Sequence, residues 1–198
     1  MNKPAWRNDA HAKVTGRARY TDDLKLPGLL HAVPVYSELP RARLLSVDAA
    51  EALTQPGVMA VFTAKDIPGN QHFGQIIPDY PTLAGEDINS TGDVLALIVA
   101  ETRDQAIAAI PFVKVDLEPR TPIFDPEAAL KPEAEILHLF HGSNITNHHR
   151  VRRGDVAAAE READIIIEEE FSTQRIEHAY MEPETALCQL RPDGVMEV

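Results

Sequence analysis

The sequence predicts an α+β protein, and three observations carry that expectation. Short apolar runs rich in Val and Ile recur at residues 29–36, 58–62 and 94–100, each of strand length. Two longer stretches, residues 103–112 and 155–163, show Ala-rich helical spacing. Pro-Gly and Asp-Gly pairs punctuate the chain at Pro27-Gly28, Pro56-Gly57 and Asp193-Gly194, where turns belong.

The elements follow in order. The first dozen residues are polar, lack a period and read as an arm. Pro27-Gly28 leads into a strand over residues 29–36, expected to be covered on both faces. A second strand over residues 43–47 is followed by a short helix over residues 48–53, with Asp48 as its N-cap. Residues 58–62 form a third strand, and Thr63-Ala64-Lys65-Asp66 has capping-box spacing for one helical turn. Residues 68–92 hold three Pro, four Gly and no periodicity, and are expected to be a long connection. Residues 94–100 are a strand, residues 103–112 a helix capped by Thr102 and stopped near Pro111, and residues 113–117 a strand. Strand, helix and strand here predict one right-handed crossover unit. Prolines 119, 122, 126 and 132 and a His/Asn tract then mark a surface linker. Asp155 caps an Ala-rich helix, residues 165–171 and 185–190 are expected strands, and Pro192-Asp193-Gly194 turns the chain into a strand beginning at Val195.

Composition narrows the function classes. The 198 residues carry 19 Lys+Arg against 31 Asp+Glu, a net charge of −12. A phosphate backbone is bound by a basic stripe, so nucleic acid is excluded as a partner, and anionic lipid is disfavoured for the same reason. One cysteine, Cys188, excludes a disulfide framework and a multi-Cys metal site. The amino terminus lacks the apolar stretch of a signal peptide, and the apolar run at residues 94–100 is far short of a bilayer span, so no membrane association and a cytoplasmic location are expected. From residue 151 onward 12 acidic residues face 5 basic ones, a segment with little prospect of its own core.

Candidate chemistry is sparse. Gly85 and Gly92 flank Asp87, Asn89 and Asp93, and match no phosphate-binding loop. His138, His141, His148 and His149 offer metal-ligand chemistry, but Gly142 and Asn144 break the helix such spacing needs, which favours a solvated linker. Cys188 is expected mid-strand, without a basic neighbour to lower its pKa, as a small buried hydrophobe. Glu168-Glu169-Glu170 reads as an exposed strand edge. Glu177-His178 with Glu182 and Glu184 has the residue types of a general acid–base set, although dense charge ended by Pro183 fits a turn better.

Several stretches in order carry a resemblance. They are Arg7-Asn8-Asp9-Ala10, Lys13-Val14-Thr15-Gly16-Arg17-Ala18-Arg19-Tyr20-Thr21-Asp22-Asp23 and Leu26-Pro27-Gly28-Leu29-Leu30-His31-Ala32. Pro56-Gly57-Val58, Val61-Phe62-Thr63-Ala64-Lys65-Asp66-Ile67-Pro68-Gly69 and Gly92-Asp93-Val94-Leu95-Ala96-Leu97-Ile98-Val99-Ala100-Glu101-Thr102 come next. Gly154-Asp155-Val156 and Glu177-His178-Ala179-Tyr180-Met181-Glu182-Pro183-Glu184 close the series. Together they resemble the amino-terminal part of the molybdenum-binding subunit of the xanthine dehydrogenase/aldehyde oxidase family.

The resemblance implies an α/β hammerhead domain followed by the start of a molybdopterin-binding domain. The division it suggests is an arm at residues 1–13, the hammerhead at 14–122, a linker at 123–150 and an incomplete molybdopterin-binding domain at 151–198. It implies a parent enzyme that oxidises purines, other N-heterocycles or aldehydes with oxygen from water. That enzyme would use molybdenum–molybdopterin, with iron–sulfur clusters and FAD on other domains or subunits. Expected partners are the remaining molybdopterin-binding domains, the iron–sulfur and flavin subunits, and a second copy in a homo-oligomer. The family's base and cofactor loops are expected beyond Val198, so no residue here is assigned a catalytic, cofactor-binding or metal role. Two other classes stay open: an interaction module adding its carboxyl-terminal strand to a partner's sheet, and a metal enzyme built on the His tract.

Overall fold

The computed structural model describes residues 7–75, 77–139, 141–181 and 184–198. The chain divides into two units, Gly28–Val151 and a second comprising Arg152–Val198 with the residues before Gly28. In the second unit α1 (Ala10–Val14) is a five-residue helix inside the expected arm. The Lys13 ammonium lies 5.9 Å from the Tyr20 ring centroid, within cation–π range.

The first unit is built on two three-stranded antiparallel sheets. Its strands are β1 (His31–Tyr36), β2 (Ala42–Asp48), β3 (Val58–Phe62), β4 (His72–Phe73), β5 (Tyr80–Pro81), β6 (Asp87–Ile88), β7 (Val94–Ala100) and β8 (Lys114–Pro119). One sheet has the order β1-β7-β3 and the other β6-β2-β8, while β4 and β5 pair as a small hairpin. The helix α2 (Arg103–Ala109) lies between β7 and β8 in the chain, and α3 (Pro126–Ala129) follows β8.

Strand β7 lies at the centre of its sheet, and successive side chains point to opposite faces. Ala96, Ile98 and Ala100 form one core with Val35, Ala52, Ala106, Ala109 and Val113. Leu95, on the other face, joins Ala42, Ala84 and Ile88 in a second core. Val115 of β8 packs against both cores. The small residues Ala106 and Ala109, fully buried, let α2 approach the sheet closely.

Several expectations need correction. The strand read at residues 29–36 as covered on both faces is β1, an outer strand paired only with β7; Pro34 within it lacks an N–H, which an outer strand tolerates. The helix expected over residues 48–53 is a 3-10 turn at Ala52–Thr54. Asp48 still belongs to β2, opposite Lys114, and its carboxylate accepts from the Ala50 N–H at 2.9 Å instead of capping a helix. The connection at residues 68–92 contains β4, β5 and β6, with Phe73 edge-on to Tyr80 at 5.2 Å across the hairpin. The predicted crossover does not form. β7 and β8 lie in different sheets, and β8 runs antiparallel to β2, so the handedness rule for parallel strands has nothing to act on.

In the second unit Asp155 caps α4 (Val156–Glu162) by accepting from the Ala158 N–H at 3.0 Å. The Asp-Gly turn also forms: Gly194 takes φ +83° and joins β9 (Gln189–Leu190) to β10 (Met196–Glu197). The strand expected at residues 165–171 is absent, because a strand needs a ladder partner and none lies beside it among the described residues. The one expected at residues 185–190 is reduced to β9. Cys188 therefore lies outside a strand and is exposed, not buried.

The Thr63 turn gives a pH signature. The Asp66 carboxylate accepts from the Thr63 N–H at 2.7 Å and from its hydroxyl at 2.9 Å, and these bonds, the backbone one first, hold its pKa below the usual 3.8. A depressed carboxyl stabilises the fold above its ordinary value and loses that contribution as pH falls through the folded one. An NMR titration of Asp66 is expected to show a midpoint below 3.8 that returns toward it in Thr63→Ala.

Candidate functional site

The cluster of charge best tied into the fold lies on residues absent from the sequence-derived candidates. Arg41, just before β2, is only 6% exposed. Its guanidinium donates to the Thr121 carbonyl at 2.9 Å and meets the Glu135 carboxylate at 2.6 Å. Arg120 pairs with Asp87 at 2.8 Å, and its own N–H donates to the Arg41 carbonyl. Asn144 then organises the following loop: its amide donates to the carbonyls of Ala129 and Glu135, and its side-chain oxygen accepts from the Leu137 N–H. The proline-rich stretch read as linker is thus fastened at defined points to the β6-β2-β8 sheet.

A second polar centre surrounds Asp93, buried at the start of β7. Its carboxylate accepts from the Asn89 N–H at 2.8 Å and bonds the Tyr80 side chain. Burial raises the Tyr80 pKa above its ordinary 10.0, and the neighbouring Asp93 charge raises it further. Both centres orient loops and neither presents a nucleophile beside a base.

The structure scatters the sequence-derived candidates. His138 pairs with Asp79 at 2.7 Å, and His141 meets the Ile145 carbonyl at 2.9 Å. His148 and His149 are exposed in irregular chain. Among the described residues no three His, Cys, Asp or Glu side chains are grouped to hold a metal ion. Glu177 accepts from the Ala179 N–H, and the His178 ring stacks on Tyr180 at 5.8 Å. Glu182 lies outside the described residues, while Glu184 and Glu168-Glu169-Glu170 are exposed. Gly85 lines a cavity beside β2, and Gly92 donates to the Ser90 hydroxyl. Sequence reading missed Arg41 because its partners Thr121 and Glu135 are remote in the chain; the basic residue next to Pro40 was the only local signal.

The segment after α4 has a different character. Ile165, Ile166, Ile167, Ile176 and Tyr180 are exposed, as are Phe171 at 88% and Met181 at 97%. A run of apolar side chains left in water is the mark of an interaction surface.

Solved structures share this architecture. The Cu,Mo-CO dehydrogenase aligns over 81% of this chain and 22% of its own, with TM-score 0.69 and 30% identity. The aldehyde oxidoreductase of Desulfovibrio gigas aligns over 67% of this chain and 16% of its own, with TM-score 0.62 and 35% identity. The fold is therefore that of an α/β hammerhead protein.

Residues 15–121 match the family model described as aldehyde oxidase and xanthine dehydrogenase, a/b hammerhead domain, and residues 138–198 match that of the molybdopterin cofactor-binding domain. The chain belongs to the aldehyde oxidase and xanthine dehydrogenase family, and corresponds to part of a molybdenum-binding subunit. It is 36% identical over 195 residues to a probable xanthine dehydrogenase subunit from Bacillus subtilis (strain 168), covering 98% of this chain and 26% of that protein. It is 33% identical to the nicotinate dehydrogenase large molybdopterin subunit of Eubacterium barkeri, covering 100% of this chain and 46% of that one. The chain thus spans less than half the length of these curated relatives.

A cofactor site is a concave pocket that buries most of its ligand's surface. The described residues of 152–198 are nearly all exposed. They do not enclose such a group by themselves.

Two substitutions separate the fastened part from the exposed one. Arg41→Met removes a charged donor to the Thr121 carbonyl and is expected to cost about 1–3 kcal/mol in denaturant unfolding, with faster hydrogen exchange at the Leu137 amide. Ile167→Asp, at a side chain that touches little, is expected to change stability by less than about 0.5 kcal/mol in the same measurement.

Proposed function

We propose that this chain serves as the scaffold segment of a molybdenum hydroxylase. The parent enzyme oxidises a purine, another N-heterocycle or an aldehyde, and water supplies the oxygen. The carrying observation is the exposed apolar run from Ile165 to Met181, which lies inside the stretch matched by the molybdopterin cofactor-binding domain. An exposed apolar run of this kind supports a surface that is covered in the larger protein. The xanthine dehydrogenase and nicotinate dehydrogenase relatives are both longer proteins that span it in sequence, which supports the remaining pterin-binding part as that cover.

The hammerhead's contribution is architectural. Its two cores and the Arg41–Glu135 pair hold loops in place without presenting a reactive group. When bound, the molybdenum–pterin centre supplies the hydroxylation chemistry, and no step is assigned to residues of this chain. Iron–sulfur and flavin domains or subunits are the electron-carrying partners of the assembly. Among the described residues no helix is long and apolar enough to cross a membrane.

Expression in a molybdate-replete host tests this reading. The purified chain is expected to carry no stoichiometric molybdenum by mass spectrometry and to reduce no dye acceptor with xanthine or benzaldehyde. Stoichiometric metal with turnover by this chain alone would overturn the scaffold role.

A further inference from the structure

Asp193-Gly194 is the one Asp-Gly pair of the sequence, which contains no Asn-Gly pair. Glycine matters here for a chemical reason. Its main-chain nitrogen carries no neighbouring side chain and its backbone is free to turn, so that nitrogen can reach the carboxyl carbon of the preceding aspartate. The structure sets this pair at the tip of the β9–β10 hairpin, where every residue from Gln189 to Val198 is exposed. The Asp193 side chain itself is 52% exposed.

The closed turn holds both reacting groups away from each other's chemistry. The Gly194 N–H donates to the Arg191 carbonyl at 3.0 Å. One Asp193 carboxylate oxygen accepts from the Val195 N–H at 3.2 Å, and the other meets the Arg191 guanidinium at 3.2 Å. The Arg191 N–H donates to the Val195 carbonyl at 2.9 Å and completes the turn. Beyond it the ribbon pairs only Met196 with Leu190 and Glu197 with Gln189. Neither hydrophobic core includes a residue of the hairpin. A two-stranded ribbon of this kind is marginal in water, so its opening free energy lies at the low end of the molecule's range.

We propose that Asp193 is a site of spontaneous isomerisation to isoaspartate, gated by opening of this hairpin. The Gly194 nitrogen bonds to the side-chain carboxyl carbon of Asp193 and loses its proton, while a carboxyl oxygen leaves as water. A five-membered succinimide results. Water then adds to the ring, and breaking the bond between the Gly194 nitrogen and the main-chain carbonyl carbon yields isoaspartate. Breaking the other ring bond restores aspartate. One water is released and one consumed, and nothing is oxidised or reduced. The main chain then runs through the former side chain and gains one methylene at the tip of the turn. That displaces Val195 from Arg191 and removes the bonds that close the ribbon. The inference stands on the hairpin alone and is independent of the chain's place in an oxidoreductase.

The test incubates the full chain beside a synthetic peptide of residues 187–198 at neutral pH and physiological temperature. Isoaspartate is quantified by methyl transfer with a protein-isoaspartate methyltransferase and located by electron-transfer fragmentation of the digest. Isoaspartate is expected at residue 193 of the chain, at a rate within about fivefold of the peptide's, as the small opening free energy of such a ribbon requires. Arg191→Ala, which frees one carboxylate oxygen, should bring the chain's rate up to that of the matching peptide. Gly194→Ala, whose added methyl meets nothing within 4 Å, should lose most of the product in chain and peptide alike. A chain that stays free of isoaspartate at residue 193 while the peptide converts would overturn the proposal. So would an undiminished yield in Gly194→Ala, since the glycine nitrogen would then not be the attacking group.

Discussion

Burial of both faces of β7 is the constraint on which the rest of the hammerhead depends. Leu95 points into one core while Ala96, Ile98 and Ala100 point into the other. A strand used in this way tolerates no slip, since a shift by one residue would exchange the occupants of the two cores. The consequences reach outward. β1 and β3 are held in register on its flanks, α2 closes over its alanine face, and Asp93 at its entrance anchors the Asn89 and Tyr80 loops. The second sheet reaches this frame through Leu95 and Val115, so an apolar seam joins what hydrogen bonding leaves as two sheets.

Local chemistry was legible wherever the cause was local. β3 and β7 follow the residues expected of them, because Val, Ile and Ala runs bounded by Gly and charged residues leave little choice of ends. The Thr63, Thr102 and Asp155 turns form because each satisfies an amide within three residues. What failed was partnership. Periodicity cannot tell which strand a strand will meet, so β7, α2 and β8 read as one crossover although they bridge two sheets. β4, β5 and β6 have two residues each, too few to show any period. The opposite error occurred at residues 165–171, where strong β propensity met no partner.

The same distinction governs the candidate site. Family membership was legible because ordered short motifs persist along the chain. Arg41 was not, because its 6% exposure and its bond to Thr121, 80 residues away, are products of the fold. A buried guanidinium needs a partner for its charge, and Glu135 brings one from the proline-rich stretch. That ion pair converts a segment without periodicity into a positioned one.

Pro34 has a consequence for how copies of the molecule coexist. β1 is an outer strand of its sheet, and Pro34 leaves one of its positions without an amide donor. Proline on an outer strand is one of the devices by which sheets blunt their edges against pairing with another chain.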